Sequence, residues 1–419
     1  MAMGSSFTNL DKALTVRYDR DFRGKVGWSK GKLAAMVAKT AWSGKNAIIP
    51  LRVGNSPARS ADFATARAKA ATARTKVENF TVSYVKEYGI SKIEGLLMDA
   101  ASDEEGRLFD EMCAQIDGQN DAVMHAFSQK IYRNGFGAIG VLDATTNVAT
   151  AIGILQKRED LMLFEIDQDV VFSASDHGAV LRNAGAVLSV TALNDDGVTA
   201  TVTFNANINT VTGTLAGDTI FPAGDRQNSA TPSMLCIPGL DAWLLPATAL
   251  DFTGVNRSTD LRLQGTLIDA TAGMDEEAAL IAAAIETSRY GGQPQRAFFN
   301  PTRYQSLVNK AQARLRPTVV EGPGKIGISG VELMTSWGAI KVFSDPYCPV
   351  RRAYVLDPET FKYYGVKSAE IPRFLNHDKA GNVLRLSDDD GVEARCGYYG
   401  TTGMNAPIKN AVIKFEAGA

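Results

Sequence analysis

The chain has 419 residues, of which 45% are apolar and 21% are charged. These values exclude wholesale disorder, a collagen-like repeat and a coiled coil, and the length suits two or three domains with cores of their own. The longest apolar run covers residues 278–285, far short of the roughly 20 residues that cross a bilayer, so we expect no membrane span.

The N-terminus and the cysteines bear on where the protein works. Residues 1–10 contain no basic patch followed by an apolar stretch, so we expect no secretory signal. The four cysteines are scattered without a CxxC pair, which is typical of reduced thiols rather than of a disulfide scaffold or a zinc site. We therefore expect a protein that stays in the cytoplasm, where it is made.

Charge is distributed unevenly along the chain. The formal net charge is −2, too close to zero for a protein whose main task is to grip nucleic acid. Residues 158–303, however, contain 18 acids, eight arginines and no lysine, a net charge of −10 that the flanking regions balance with +8. This segregation predicts that the middle segment and its flanks meet different neighbours.

The N-terminal quarter of the sequence predicts an arm and a hairpin. Residues 1–46 mix basic, small and aromatic side chains without a sustained period, which favours an arm lying across another surface. Two β-like runs, 47–53 and 80–90, enclose a segment with eight alanines, five basic residues and two acids. We interpret residues 47–90 as an extended β-hairpin, which in water is marginal alone and needs a partner surface. The alternative is a floppy surface loop.

A long amphipathic helix is the best-defined element of the sequence. Ser102 and Glu105 have the spacing of a capping box, and Asn134-Gly135 is typical of a helix C-terminus. Between them, apolar residues recur four or seven positions apart: Leu108, Met112, Ile116, Val123, Phe127 and Ile131. A helix of about 31 residues is roughly 45 Å long. Its N-terminal half is strongly acidic. Acidic side chains near a helix N-terminus are stabilised by the helix dipole. Alternatively, this acidic face binds the basic hairpin tip of a neighbouring copy.

Beyond the helix the residue pattern of the sequence changes twice. Residues 165–228 contain short Val, Ile and Thr runs separated by turns, which predicts an all-β module. Afterwards the chain returns to a mixed α/β pattern, with predicted helices at 274–290 and 300–310 and predicted strands at 339–343, 353–356, 361–364, 392–401 and 408–415. We expect the last two strands to return to a sheet near the long helix.

Catalytic motifs have little support in the sequence. Gly135, Gly137 and Gly140 form a GxGxxG string, but it closes a helix, whereas a dinucleotide site requires it to follow a strand. No phosphate-loop motif and no arrangement of a nucleophile with a base is present.

One acidic segment leaves a metal site open as an alternative. Glu165, Asp167 and Asp169 alternate, so on a strand their carboxylates would share one face, with His177 near in sequence. Alternating acids of this kind are also typical of a solvated strand edge.

Taken in order, these elements resemble the major capsid proteins of tailed bacteriophages, the Hong Kong 97-type fold. The resemblance covers nearly the whole chain and rests on the order of elements and on five stretches of sequence: GNSPARSADFATARAKA from residue 54, LPATALDFTGVNRSTDLRLQG (245–265), FFNPTRYQSLVNK (298–310), GAIKVFSDPYCP (338–349) and YVLDPETFKYYG (354–365).

The resemblance implies an α+β fold with a peripheral domain containing the long spine helix, an axial α/β domain, an extended hairpin loop, an N-terminal arm and a small all-β insertion. The implied segments are the arm (1–46), the extended loop (47–90), the peripheral domain with the spine helix (91–135), the first axial part (136–164), the inserted β-rich domain (165–228), the second axial part (229–365) and the C-terminal peripheral strands (366–419).

The function that the resemblance implies is structural. Such proteins assemble as pentamers and hexamers into an icosahedral shell that encloses double-stranded DNA without reading its sequence. Portal, scaffold and cement or decoration proteins are the other partners expected, the virion is the expected location, and no catalysis, metal or cofactor is implied. The sequence has no room for a long N-terminal scaffolding segment, so we expect a separate scaffold protein.

The candidate site residues are intersubunit contacts. We expect the extended loop to contribute Arg59, Asp62, Arg67, Lys69, Arg74 and Lys76, and the spine helix of the adjacent copy to contribute Glu104, Glu105, Asp110 and Asp117. A lysine-to-asparagine crosslink, known in one branch of the family, is not assumed, since Lys69 and Lys76 lie in the loop but Asn382 is the one asparagine in the acceptor region 379–391.

Three other functions remain as alternatives. A cellular encapsulin shell would share the fold and enclose a different cargo. A metal-dependent hydrolase would require Glu165, Asp167, Asp169 and His177 to converge on one ion. An adhesion or tail protein would be expected to form trimers.

Overall fold

A computed structural model of the chain describes residues 31–94, 107–176, 178, 180–225, 234–246, 253–314, 331–335, 338–368, 370–375, 384–386 and 390–415. The α-helices in this part are α1 (Lys32–Met36), α2 (Phe63–Thr72), α3 (Arg107–Lys130), α4 (Leu240–Leu244), α5 (Glu276–Ser288) and α6 (Pro301–Arg314). Short 3-10 segments cover Arg158–Leu163, Arg182–Gly185, Ile208–Thr210, Arg257–Thr259, Leu261–Leu263 and Pro407–Lys409.

The strands form three six-stranded sheets and one two-stranded hairpin. They are β1 (Ala38–Trp42), β2 (Asn46–Gly54), β3 (Lys76–Ser83), β4 (Val85–Glu94), β5 (Gly140–Val141), β6 (Ile152–Ile154), β7 (Asp169–Ser173), β8 (Leu188–Asp195), β9 (Ala200–Phe204), β10 (Thr219–Pro222), β11 (Thr266–Asp269), β12 (Arg296–Phe299), β13 (Val331–Thr335), β14 (Gly338–Ser344), β15 (Arg352–Leu356), β16 (Phe361–Val366), β17 (Arg373–Phe374), β18 (Leu384–Arg385), β19 (Gly391–Met404) and β20 (Ala411–Lys414).

The spine sheet, made of β1, β4, β16, β17, β18 and β19, lies against the long helix α3. Strand β19 pairs antiparallel with β4 on one side and with β16 on the other. Phe127 of α3 meets Tyr363 of β16 and Tyr398 of β19 edge to face, with ring centroids 5.6 and 5.5 Å apart. The predicted return of strand 392–401 to the long helix is therefore confirmed.

The central sheet has the order β11-β20-β15-β12-β14-β13 and packs against α5 and α6. Both helices follow the sequence prediction closely. Asn300 begins α6, with its side-chain oxygen accepting from the backbone N–H of Thr302 at 3.1 Å. Leu280 of α5 and Leu307 of α6 are buried over the sheet.

The predicted boundary between the axial part and the C-terminal peripheral strands, at residue 365, does not match the division of strands between these two sheets. Strand β20 was expected beside the long helix, but it pairs with β11 and β15 in the central sheet. Strand β16, assigned to the axial part, pairs with β19 in the spine sheet. Long-range packing decides the placement of β20, because its buried side chains Ala411 and Ile413 join the core cluster that contains Leu280 of α5.

The β-rich module begins earlier than predicted. Its sheet has the order β5-β10-β7-β8-β9-β6, so it includes two strands before residue 165. These strands have two and three residues, too few to show an alternating pattern in the sequence. Phe172 and Phe204 form the centre of the module, with ring centroids 5.6 Å apart.

The part of the predicted arm that is described is fixed to the rest of the chain. The backbone N–H of Leu33 donates to the Asp345 carboxylate at 3.0 Å, and β1 runs parallel to β16 at the edge of the spine sheet. Residues 1–30 of the predicted arm lie outside the described residues, as does the predicted capping box of the long helix, Ser102 with Glu105.

Candidate intersubunit interface

The base of the hairpin is anchored on its own chain. Strands β2 and β3 pair antiparallel from Asn46 with Ser83 to Gly54 with Lys76. Phe80 is fully buried and meets the Trp243 ring edge to face at 5.5 Å. The predicted strand 80–90 is divided at Tyr84, because its second half leaves the hairpin and pairs with β19 as β4.

The tip of the hairpin, residues 54–75, has no such anchor. It contains α2, a helix that the sequence analysis did not predict, and none of the residues of α2 is buried. The Ser56 hydroxyl donates to the Ala73 carbonyl at 3.2 Å and closes the loop around the helix. Isolated helices shorter than about 12–15 residues are marginal in water, so this helix of 10 residues requires a further surface to become stable.

Asp62 has a role within its own chain. Its carboxylate accepts from the backbone N–H of Thr65 at 2.8 Å and from the Thr65 hydroxyl at 2.6 Å, which caps the N-terminus of α2. These hydrogen bonds from Thr65 lower the pKa of Asp62 below its ordinary value. The carboxylate is exposed, so the cap leaves it accessible to a neighbouring molecule as well.

The five predicted cations of the extended loop point into solvent. Arg59, Arg67, Lys69, Arg74 and Lys76 are all exposed. Lys76 pairs with Glu78 of its own strand at 3.1 Å. The other four side chains have neither a hydrogen bond nor an ion pair with any residue that the structure describes.

Phe63, at the first turn of α2, is the one aromatic residue of the tip and was missed in the sequence analysis. Its side chain is 79% exposed. Complete burial of a phenyl ring contributes about 1.5–3 kcal/mol, more than an exposed ion pair at about 0–1 kcal/mol. The sequence already separates Phe63 from the surrounding alanines and charges, but its exposure becomes evident with the helix.

The predicted carboxylates of the spine helix are described in part. Glu104 and Glu105 lie outside the described residues, and of Asp110 the backbone alone is described. Asp117 is exposed on α3, and its neighbour Gly118 is exposed with no atom within 4 Å of where a Cβ would lie. Within one chain, the structure places no ion pair between the described cations of the tip and Asp117.

A buried ionic cluster fixes the C-terminal end of α3 where three parts of the chain meet. The Lys130 ammonium donates to the carboxylates of Glu87 on β4, at 2.8 and 2.7 Å, and of Asp225 after the β-rich module, at 2.7 Å. Burial opposes the charge on Lys130, but the negative groups around it raise its pKa above the ordinary value. Burial raises the pKa of the nearby Cys236 thiol to about 12, so at neutral pH the two carboxylates supply that negative charge.

The acidic segment before β7 does not have the strand geometry on which the metal hypothesis was based. Asp167 has a left-handed backbone with φ of 65°, so Glu165 and Asp169 are not alternating members of one strand with it. Asp169 begins β7 and accepts from the Ser189 hydroxyl. His177 lies outside the described residues, and within the described ranges no group of three His, Cys, Asp or Glu side chains is placed to hold a metal ion.

None of the helices in the described part of the chain is long and apolar enough to span a bilayer.

Comparison with known proteins gives matches at the level of structure. No protein-family model and no curated protein matches the sequence. The chain is similar to a chain of the cyanophage A-1(L) capsid asymmetric unit, with a TM-score of 0.54, 13% identity and coverage of 98% of this chain and 99% of that chain. A chain from Mycobacterium phage Adephagia has a TM-score of 0.47 and 10% identity, with 99% of each chain covered. The likeness to the cyanophage capsid chain, over nearly the whole length of both, shows that this chain has the Hong Kong 97-type capsid fold.

Proposed function

We propose that this protein is the major capsid protein of a tailed bacteriophage. It assembles as pentamers and hexamers into an icosahedral shell around double-stranded DNA. The observation that carries the proposal is a hairpin whose base is buried in its own chain and whose tip buries nothing there, within a chain of the capsid fold.

The tip becomes ordered by lying on the spine helix of the adjacent copy. Residues 54–79 contain five basic residues and two acids, whereas residues 103–121 contain seven acids and one arginine. Each exposed ion pair contributes about 0–1 kcal/mol, but every subunit of a shell repeats the set. Placement of like charges opposite one another disfavours wrong registers, and weak individual contacts allow misplaced subunits to leave.

The role is structural rather than catalytic, and the protein requires no cofactor or metal. Its location is the virion, after synthesis in the cytoplasm of the host. Portal and scaffold proteins, and cement or decoration proteins, are the further partners that such a shell requires. The β-rich module, inserted between α3 and the central sheet, lies largely within the acidic segment 158–303 that differs in charge from its flanks.

Electron microscopy of the purified chain tests the proposal. We expect closed icosahedral shells from the wild-type protein. Replacement of residues 56–73 by a short Gly-Ser turn removes the tip but keeps the pairing of β2 with β3, so we expect a folded monomer that forms no shells.

Three results would contradict the proposal. Intact shells from the shortened variant would show that the tip is dispensable for assembly. A wild-type chain that stays monomeric at every concentration, with or without other proteins of the phage lysate, would exclude a shell protein. Small shells filled with a protein cargo would indicate an encapsulin.

A further inference from the structure

Two ion pairs lie close together where the C-terminal end of α3 meets the β-rich module and the central sheet. Arg133, just after α3, donates to the Asp160 carboxylate of the module at 2.7 Å. Arg352, at the start of β15, donates to the Asp241 carboxylate of α4, which also accepts from the Tyr354 hydroxyl at 2.6 Å. Asp241 is close enough to Arg133 to interact with it electrostatically, so the two pairs form one cluster.

Lys157 lies beside this cluster without a partner of its own. Its side chain is half-buried, immediately before the 3-10 segment Arg158–Leu163. Its ammonium group has neither a hydrogen bond nor an ion pair with any part of the chain that the structure describes. Burial lowers the pKa of this ammonium group, and the nearby Asp160 opposes the shift, but three guanidinium groups add to it: those of Arg133, Arg351 and Arg352.

The carboxylates near Lys157 are already engaged. Asp160 is held by Arg133. Glu159 accepts from the backbone N–H of Val350 at 3.2 Å, and burial raises its pKa, which favours its neutral form. The charge of Lys157 is therefore partly desolvated, close to three other cations and not compensated, an arrangement that an added anion would stabilise.

A phosphate group has the chemistry that this arrangement requires. Its negative charge is spread over several acceptor oxygens, so an ammonium and a guanidinium group can bind it at the same time. Lys157 and Arg351 are both partly exposed, so a ligand can approach them from solvent. Arg133 and Arg352 are bound to carboxylates and add positive potential to the site.

We propose that Lys157 and Arg351 bind a phosphate group, either a free phosphate ion or a phosphate of the DNA backbone. The bound anion connects the β-rich module to the turn before β15, and so to the central sheet. A free ion is available to the monomer, whereas a backbone phosphate reaches the site from DNA enclosed in the proposed shell.

Thermal unfolding of the full chain in increasing concentrations of inorganic phosphate, at an ionic strength held constant with sodium chloride, tests the site. We expect the melting temperature of the wild type to rise with phosphate, because the ligand binds the folded chain. In Lys157→Gln the apparent Kd for phosphate should increase at least about tenfold, since a hydrogen bond to a charged group contributes that much affinity. Lys157→Arg should retain most of the effect.

Two further measurements separate this site from a structural role of Lys157 and from general attraction of anions. Without phosphate, Lys157→Gln should melt at the wild-type temperature or above it, because the substitution removes an uncompensated charge. The matched control is Lys341→Gln, which removes an exposed lysine of β14 that has no ion pair with a described residue and should keep the wild-type response to phosphate.

The source of the phosphate is tested by replacing the inorganic ion with a short DNA duplex. Stabilisation of the wild type by the duplex, but not of Lys157→Gln, would support the site with the DNA backbone as its ligand. Stabilisation by inorganic phosphate alone would support it with a free ion. An equal response of the wild type and Lys157→Gln to phosphate, or no response of the wild type, would overturn the proposal. A lower melting temperature of Lys157→Gln without phosphate would also overturn it.

Discussion

The base and the tip of the hairpin differ in how far their side chains are buried, although one pair of strands joins them. At the base, the phenyl ring of Phe80 is fully buried against Trp243. At the tip, the ring of Phe63 is 79% exposed and lies outside the hydrophobic core. The same residue type thus stabilises the monomer at one end and is available to another molecule at the other. The difference indicates which parts of the chain fold alone and which fold on assembly.

The largest expected effect comes from truncating the buried ring. We expect Phe80→Ala to lower the free energy of unfolding by about 3–5 kcal/mol, because it leaves a cavity against Trp243. Phe63→Ala, the same substitution at the tip, should change it by less than about 0.5 kcal/mol. Urea unfolding of the two monomeric variants measures both values, and equal losses would remove the distinction between base and tip.

The buried ionic cluster at the C-terminal end of α3 tests the part of the chain that folds without a partner. We expect Lys130→Met to cost about 3 kcal/mol of unfolding free energy, because it leaves the largely buried Glu87 carboxylate without its counter-charge. The double variant Lys130→Met with Glu87→Met should recover part of this loss, since it removes both charges. A double variant less stable than the single one would contradict this account of the cluster.

The same cluster predicts a pH dependence. The pKa of Lys130 is raised above its ordinary value of 10.5, so the folded chain keeps a proton that the unfolded chain releases at alkaline pH. The stability that Lys130 supplies is therefore complete below pH 10.5 and declines as the pH rises above it. We expect the difference in unfolding free energy between wild type and Lys130→Met to narrow over that range, and a constant difference would contradict the prediction.

The smallest expected effect is at the cap of α2. Asp62→Ala removes the acceptor for the Thr65 N–H and lowers the helix content of the tip, but it leaves the global melting temperature unchanged because α2 buries nothing in its own chain. Circular dichroism and thermal unfolding measure the two quantities separately. A fall in melting temperature would show that the tip is coupled to the core.

The sequence predicted elements well where the period was long or the caps were explicit. The apolar spacing around Val123 and Phe127 placed α3, and Asn300-Pro301 placed the start of α6. Gly135 has the left-handed φ of 83° that the Asn-Gly pair indicated, and a Cβ there would lie 2.7 Å from the Met234 sulfur. The helix itself ends earlier than predicted, at Lys130.

Elements that depend on distant partners could not be predicted in the same way. Strands β5 and β6 are too short to show a period, and β20 joins the central sheet through a parallel pairing with β11 about 145 residues earlier in the chain. Helix α2 was missed because its alanines and charges have no amphipathic pattern, although Asp62 followed by Thr65 is a capping sequence. The predicted contact residues stay predictions, because a single chain does not contain the surface that they would meet.

Hydrogen exchange of the backbone amides of α2 tests the central claim most directly. In the isolated monomer, the amides of Phe63–Thr72 should exchange much faster than those of β3 around Phe80, because α2 is only marginally stable there. In assembled shells, the amides of α2 should become as protected as those of β3. Equal protection of α2 in the monomer, or fast exchange of α2 within intact shells, would contradict the account.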